Sequence, residues 1–226
     1  MRSAAAAAVL GLALAVGTPT VWELTRPSAA AGAPVEQALP AAGTPAPASD
    51  PLGTPAPDRL PTATARDARP SAPAPVPAPA RLVVPALGVD TPVEPVGVQD
   101  DGQMAIPADV DRVGWYHFGP APGGPGSAVI AGHVDDEEQG LGALAPLRGA
   151  SVGDEIRVTD ADGTTTRWRV VARELIRKKV LPLDRLFARS GPPRLTLITC
   201  GGPFLPEFGS YRDNVVVVAE PLRGVA

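Results

Sequence analysis

The run Leu195-Thr-Leu-Ile-Thr-Cys200 is followed at once by Gly201-Gly202-Pro203. β-Branched and large apolar residues in this order predict a buried β-strand, and the glycines and proline predict its end or a bend. The strand therefore presents Cys200, the only cysteine of the chain, close to its end. A lone cysteine is either a small buried hydrophobe or a reactive group. The other motifs of the sequence indicate which of the two applies to Cys200.

Two other apolar runs meet a reactive side chain in the same way. Ser127 to Ala131 leads into His133 after one glycine, and Arg212 stands shortly before the run Val215 to Val218. A thiol, an imidazole and a guanidinium at three strand edges predict a site at one end of a sheet.

Further short β-branched runs, bounded by Gly, Pro and Asp, favour a mainly β domain. They are Leu82 to Val84, Glu155 to Val158 and Thr165 to Ala172. Asp162-Gly163 separates the last two and predicts a hairpin turn. Leu144 to Arg148 and Leu183 to Arg189 are long enough only for short helices. Many short strands with closely spaced turns indicate a barrel or a sandwich.

The 226 residues fall into three parts. Ala4 to Trp22 is an uncharged run of small and apolar residues, just long enough to span a bilayer. It predicts that residues 1–26 are a membrane anchor, or a signal segment cleaved within the small residues 28–33. Either reading predicts export, and the anchor reading places the following domain outside a cell membrane that it crosses once.

Residues 27–80 hold 14 of the 29 prolines and no aromatic residue. Such a segment cannot bury enough apolar surface to offset its chain entropy, so it is expected to be a disordered Pro/Ala-rich linker that acts as a spacer. Residues 81–226 remain as one domain of ordinary size.

Composition excludes several functions. The net charge is −4 and no strongly basic segment occurs, which argues against nucleic-acid binding. One cysteine excludes an intramolecular disulfide and zinc sites with two or more cysteines. The four consecutive acids Asp135 to Glu138 cannot all point at one ion, so they predict a solvated loop and not a calcium site. No metal and no cofactor is expected.

A Cys, a His and an Arg together suit acyl transfer. A thiolate attacks a carbonyl, an imidazolium protonates the leaving amine and later removes a proton from the incoming nucleophile, and a guanidinium stabilises the oxyanion. The same residues also have structural readings. Cys200 could pack in the core, His133 could lie in an ordinary turn, and Arg212 could pair with its neighbour Asp213.

The combination of motifs resembles the signature of the sortases, the cysteine transpeptidases of bacterial surfaces. It consists of Thr199-Cys200, Gly132-His133 upstream, and Arg212 twelve residues beyond the cysteine. Cys200-Gly201-Gly202 and the run Tyr211 to Val217 resemble in particular the class F sortases of actinobacteria. The resemblance covers about residues 81–222, and an N-terminal anchor followed by a linker matches the sortase layout.

This resemblance implies a sortase-like eight-stranded β-barrel with short helices. It implies that Cys200 is the nucleophile, His133 the general acid and base, and Arg212 the stabiliser of the oxyanion or substrate. Sortases cleave a Leu-Pro-X-Thr-Gly type sorting signal between Thr and Gly through a thioacyl-enzyme. They pass the acyl group to an amine on a peptidoglycan precursor or another protein, and a monomer is the family default.

The resemblance also implies substrate contacts. Residues 180–190 correspond in position to the loop that covers the sorting signal, where Leu183 and its apolar neighbours would contact the Leu and Pro. Thr199 and Tyr211 are expected to line the groove, and Asp135 to lie near the imidazole. His117 matches no catalytic motif and is interpreted as structural.

Two alternatives stay open at this point. A peptidoglycan transpeptidase of the L,D type carries its cysteine in a Ser-His-Gly-Cys motif, which is absent here. A non-catalytic cell-surface domain could keep the same barrel and bind a cell-wall ligand or a sorting signal without turnover.

Overall fold

The computed structural model describes residues 29–41 and 77–222. Eleven strands and two short α-helices occur in these ranges, besides four single-turn 3-10 segments. The strands are β1 (Ala30–Gly32), β2 (Pro79–Val84), β3 (Val89–Val96), β4 (Val113–Tyr116), β5 (Ser127–Ala131), β6 (Asp135–Asp136), β7 (Gly140–Leu141), β8 (Glu155–Asp160), β9 (Thr165–Arg177), β10 (Arg194–Leu205) and β11 (Ser210–Pro221). The helices are α1 (Val35–Ala38) and α2 (Leu183–Leu186), and the 3-10 segments are Pro85–Leu87, Ala145–Gly149, Lys178–Val180 and Pro206–Phe208.

Eight strands form a closed barrel. Their order is β9-β11-β10-β5-β4-β3-β2-β8, and β8 pairs with β9 to close the ring. Two neighbouring pairs are parallel, β10 with β5 and β3 with β4, and the other pairs are antiparallel. Closure leaves the barrel strands without a free edge along most of their length. The mainly β prediction and the eight-stranded barrel implied by the resemblance are confirmed.

The main hydrophobic core fills the inside of this barrel. Alternate residues of each strand point inward, as a pleated strand requires, and they include the fully buried Trp168, Ile130 and Leu197. The hairpin predicted at Asp162-Gly163 joins β8 to β9, with Gly163 at a φ of 85°.

Strand β3 was not predicted from the sequence. Strand β3 contains Pro92 and Pro95, and proline normally argues against a strand because it has no N–H to donate. Its burial still alternates, with Val89, Thr91 and Val93 inside. Burial of the inward side chains thus stabilises β3 as a strand although its two prolines donate no hydrogen bond.

The expectation of a disordered linker over residues 27–80 is wrong for residues 29–41, and also for Pro79 and Ala80, which belong to β2. Strand β1 adds to β9 in antiparallel register, with Gly32 opposite Ala172. Helix α1 follows and buries Val35 against the outside of the barrel, where Leu39 also packs. The physical reason is that this short segment holds enough apolar residues to cover a patch of the sheet that would otherwise face water.

Gly32 is required where β1 ends. Its φ of 82° is unfavourable for other residues, and a Cβ there would lie 2.3 Å from the Val171 carbonyl oxygen. The segment is further fixed by Glu174, whose carboxylate accepts a 3.0 Å hydrogen bond from the Val35 amide.

The expected anchor, residues 1–26, and residues 27–28 and 42–76 of the expected linker lie outside the described residues. Among the residues that are described, no helix has the length and apolar character needed to cross a bilayer.

Candidate active site

Cys200 lies within β10, and His133 comes two residues after the end of β5, the parallel neighbour of β10. The register of β10 and β5 places Ile198 beside Ala131, and the Thr199 hydroxyl donates a 2.8 Å hydrogen bond to the Gly132 carbonyl. Cys200 and His133 each lie two residues beyond this last registered pair of the two strands. The structure thus places the two reactive residues on adjacent segments of the barrel, next to the hydrogen bond between Thr199 and Gly132.

The thiol of Cys200 is free and partly buried. Its strand neighbour on the other side is Asn214 of β11. The β10–β11 pairing loses its regular register between Gly201 and Phe204, so the strand bends directly after the cysteine.

Gly202 has a specific role at this bend. Its φ is 74°, and a Cβ there would lie 2.3 Å from the Asp213 Oδ2 atom. The second glycine after Cys200 therefore makes room for a buried carboxylate as well as for the turn.

His133 is held through one ring nitrogen. Its Nε2 atom lies 3.1 Å from the Pro107 carbonyl oxygen. A carbonyl can only accept, so Nε2 carries the proton in this contact and Nδ1 is the nitrogen left for proton transfer. The imidazole thereby has a fixed orientation in a half-buried position.

Arg212 pairs with its sequence neighbour Asp213. Its Nε and Nη2 atoms donate to the two carboxylate oxygens of Asp213 at 2.8 and 2.9 Å, while 45% of its side chain is exposed. These hydrogen bonds lower the pKa of Asp213 and raise the pKa of Arg212. The structure thus shows the Arg212–Asp213 pair that the sequence analysis gave as the structural alternative for Arg212. Arg212 does not line either of the two described cavities at Cys200.

An apolar groove of about 470 Å³ opens on one side of Cys200. Its apolar walls are Val98, Met104, Ile106, Tyr116, Leu181, Leu183, Leu186, Phe187 and Ile198. Helix α2 contributes Leu183, whose side chain is largely exposed, and Leu186, which is fully buried. The predicted contact residues of the loop therefore do line a groove that ends at the thiol.

A second cavity of about 410 Å³ opens on the other side of Cys200. Three charged residues line it, namely Asp135, Arg148 and Arg173, and we call it the charged cavity. Thr199 and Cys200 belong to the walls of both spaces. His133 lies between them in the chain, since Gly132 lines the groove and Val134 the charged cavity.

Tyr211 and Asp135 form a bridge at the charged cavity. The Tyr211 hydroxyl donates a 2.5 Å hydrogen bond to Asp135 Oδ2. This hydrogen bond is the main cause of a raised pKa of Tyr211, with smaller contributions from burial and from the charges of Asp135 and Cys200. The bridge joins the segment after His133 to the segment before Arg212, and it places Tyr211 in the charged cavity and outside the groove.

The remaining acidic residues of this segment form a small hairpin of β6 and β7. The Asp136 carboxylate accepts hydrogen bonds from the amides of Gln139 and Glu138, which lower its pKa. Within the described ranges, no three His, Cys, Asp or Glu side chains are grouped as metal ligands. His117 follows β4 on the surface, with its Nδ1 atom 2.9 Å from the Val96 carbonyl oxygen.

Sequence reasoning missed several residues of the site. Arg148 ends the 3-10 segment Ala145–Gly149, and Met104 and Ile106 lie in the connection between β3 and β4. Asn214 was quoted only as part of a motif. None of them stands in a local pattern that marks a site, because only the barrel topology brings them to Cys200.

The fold and site together define a closed β-barrel protein with a cysteine-centred site where a groove and a cavity meet. A profile of the sortase domain matches residues 82–222, which is more than half of the chain. The chain therefore belongs to the sortase family of cysteine transpeptidases, whose members act on sorting-signal proteins and amine acceptors.

Solved structures of similar fold are sortases as well. A lid mutant of sortase A from Corynebacterium diphtheriae has a TM-score of 0.51 at 20% identity, covering 67% of this chain and 74% of that one. Sortase C-1 from Actinomyces oris has a TM-score of 0.50 at 23% identity, covering 64% and 74%. Sortase C1 from Streptococcus suis has a TM-score of 0.51 at 17% identity, covering 66% and 75%. No curated protein matches the sequence.

Proposed function

We propose that this protein is a class F-like sortase that cleaves a Leu-Pro-X-Thr-Gly type sorting signal between Thr and Gly. It holds the threonyl group on Cys200 as a thioester and transfers it to an amine of the cell wall. The observation that carries the proposal is the position of Cys200 in the walls of two separate spaces. Transpeptidation needs one thiol that two substrates reach in turn.

The first half of the reaction forms the thioester. The Cys200 thiolate attacks the threonyl carbonyl, the C–N bond to glycine breaks, and His133 supplies the proton that the leaving amine takes. In the second half, the nitrogen of the acceptor attacks the thioester, the C–S bond breaks, and His133 takes the proton that the nitrogen loses. The hydrogen bond from His133 to Pro107 keeps the ring oriented through both halves.

The apolar groove suits the Leu-Pro part of the signal. Leu181, Leu183 and Phe187 offer apolar contact along a wall that ends at the thiol, and burying two such side chains is worth several kcal/mol at about 25 cal/mol per Å². Thr199 lines both the apolar groove and the charged cavity next to Cys200.

Arg212 has the proposed role of stabilising the oxyanion or the substrate. Its guanidinium is bound to Asp213 at 2.8 Å, so this role requires it to leave that carboxylate when substrate arrives. Because Asp213 is buried, leaving it without this partner costs free energy, which contacts of Arg212 with the substrate must offset. Tyr211, on the far side of the thiol from the groove, belongs in this proposal to the acceptor side.

The remaining parts of the proposal concern location and partners. Residues 1–26 anchor the protein in the cell membrane, with the barrel outside and residues 81–226 as its catalytic domain. The partners are surface proteins with the sorting signal and a peptidoglycan precursor or other amine, and the protein acts as a monomer. The Cys200-Gly201-Gly202 motif supports class F within the family.

The decisive experiment measures the intact mass of residues 27–226 after incubation with a Leu-Pro-X-Thr-Gly peptide. This fragment keeps residues 29–41, which pack on the barrel. We expect an adduct equal to the peptide part that ends in Thr, its release by an added amine, and no adduct with Cys200→Ala.

A non-catalytic binding domain is the competing function. It predicts that Cys200→Ala binds the peptide with unchanged affinity and that no adduct and no cleavage occur across a panel that varies every signal position. That pair of results would refute the transpeptidase and leave a binding module.

A further inference from the structure

The charged cavity is suited to a second substrate. Once the acyl group is on Cys200, the sorting peptide fills the apolar groove, so an acceptor must approach the thioester from elsewhere. The charged cavity reaches the same thiol from the other side and has about 410 Å³ of space. This inference rests on the proposed transpeptidase function.

The charged residues of this cavity are not equally available. Arg173 is buried, and its Nε atom donates a 2.7 Å hydrogen bond to the Ala150 carbonyl. Asp135 already accepts a hydrogen bond from Tyr211 through one oxygen. Arg148 is exposed, and it has no hydrogen-bond or ion-pair partner among the residues that the structure describes.

Arg148 therefore brings an unpaired guanidinium into the cavity wall. A guanidinium presents N–H groups in a planar fork that matches a carboxylate. The second carboxylate oxygen of Asp135, which lines the same cavity, suits an ammonium group. A molecule with an amine and a carboxylate on a short skeleton matches both partners at once.

We propose that the charged cavity binds the acceptor and that Arg148 selects an amine whose own skeleton carries a carboxylate. The chemical class is an amino acid or the end of a peptide with a free carboxylate near the attacking amine. Asp135 holds the amine as ammonium, which releases one proton to water before the neutral amine attacks the thioester. The nitrogen forms the amide and gives its second proton to His133, while the C–S bond breaks and Cys200 leaves as the thiolate.

The N-terminal segment completes the wall of this cavity. Ala29 lines it, and the Ala29 carbonyl accepts a 2.9 Å hydrogen bond from the amide of Leu175, another lining residue. A fragment that begins at residue 77 would lack this wall. The test must therefore use residues 27–226.

The test compares acceptors that differ only in the carboxylate. Glycylglycine and glycylglycinamide compete at equal concentration for the thioacyl-enzyme formed from a Leu-Pro-X-Thr-Gly peptide, and mass spectrometry gives the ratio of the two products. A second pair is lysine and 1,5-diaminopentane. The ratio within one reaction is independent of how fast each variant forms the thioester.

We expect the unmodified protein to favour the carboxylate-bearing acceptor by about threefold to tenfold, as an exposed charge-assisted contact allows. Arg148→Gln should bring the ratio close to one, and Arg148→Lys should keep part of the preference. Arg189→Gln is the matched control, because Arg189 is also exposed and lines neither space at Cys200. Its ratio should equal that of the unmodified protein.

Three results would overturn this inference. They are a ratio near one in the unmodified protein, a preference that survives in Arg148→Gln, and an equal loss in Arg189→Gln. Failure of the proposed function looks different, because then no thioacyl-enzyme forms at all and no ratio between acceptors exists.

Discussion

The two faces of strand β11 are both buried, but by different parts of the chain. Val215, Val217 and Ala219 point into the barrel core. Val216 and Val218 point outward, where Val35 and Leu39 of the N-terminal segment cover them together with Leu186 of α2. The inner face is covered by strands of the same closed barrel. The outer face depends on a segment that residues 42–76 separate from the barrel sequence.

This difference explains why Val215 to Ala219 is a continuous apolar run and does not alternate. A barrel strand with one face in water would alternate between apolar and polar residues. Uninterrupted valine indicates a cover on the second face as well. The inner layer determines whether the barrel exists, whereas the outer layer determines how α2 and the apolar groove beside it are supported.

Trp168→Ala should give the largest loss of stability. Trp168 is 1% exposed at the centre of the inner layer, and its Nε1 atom donates to Thr166. Removing a buried tryptophan side chain costs about 3–5 kcal/mol, measured as the free energy of unfolding in urea. Trp168→Phe is the control and should cost clearly less. A loss below about 1 kcal/mol for the alanine variant would contradict a tightly packed inner layer.

Leu39→Ala should have a smaller effect because the outer cover can detach while the barrel stays folded. We expect about 1–2 kcal/mol, below the about 2–5 kcal/mol usual for a buried leucine. Hydrogen exchange can localise the effect, since the Leu175 amide donates to the Ala29 carbonyl. That amide should exchange faster in the variant, while the Ile130 amide inside the barrel should not.

The combined variant Val35→Ala/Leu39→Ala tests whether the outer cover detaches while the barrel stays folded. Once one substitution has detached the segment, a second substitution in it removes few further contacts. The double variant should therefore lose less free energy of unfolding than the sum of the losses in the two single variants. Full additivity would mean that the outer layer unfolds together with the barrel.

Asp213→Asn should change the acid sensitivity of the protein. Asp213 lies at the end of the inner face, and its hydrogen bonds to Arg212 lower its pKa below the ordinary value of 3.8. The stabilisation is therefore complete above that value and is lost as the pH falls through the lower pKa of the folded state. In the asparagine variant, the free energy of unfolding should vary less with pH below about 4. Identical pH profiles in urea unfolding would show that this ion pair does not contribute.

Arg81→Gln should have the smallest effect. Arg81 pairs with Asp90 on an outer surface that none of the described residues covers, with side chains 60% and 51% exposed. An exposed pair gains little because water and salt screen it. The urea midpoint should not change measurably. A clear loss of stability would mean that exposed ion pairs contribute substantially to the stability of the uncovered sheet surface.

Much of the barrel could be predicted because most of its strands carry local β patterns. The run that ends at Cys200 and the run before His133 are both buried strands, and their parallel pairing explains why the two residues meet. Strand β3 was missed because Pro92 and Pro95 mask its alternation. The N-terminal segment was missed because its few apolar residues gain stability only when they meet the barrel.

The sequence predicted several residues of the site, but it did not predict how their side chains are oriented or what they bind. Cys200 and His133 stand where the sequence placed them, but the choice of Arg212 between a substrate and Asp213 depends on a neighbour that accepts two hydrogen bonds. Tyr211 and Leu183 both lie at a cavity or groove, on opposite sides of Cys200. Arg148 had no sequence signal at all, because its proximity arises only from the closure of the barrel.

The contact of residues 29–41 with the barrel has a topological consequence. Residues 42–76 begin and end on the same folded body, so while β1 is paired their length cannot increase the distance between residue 28 and the barrel. Closing a loop of this length costs about 3 kcal/mol in chain entropy, which the outer apolar layer must exceed. The tether proposed for the barrel would thus have two lengths, a short one while β1 and α1 stay on the barrel and one longer by the 48 residues 29–76 once they leave it.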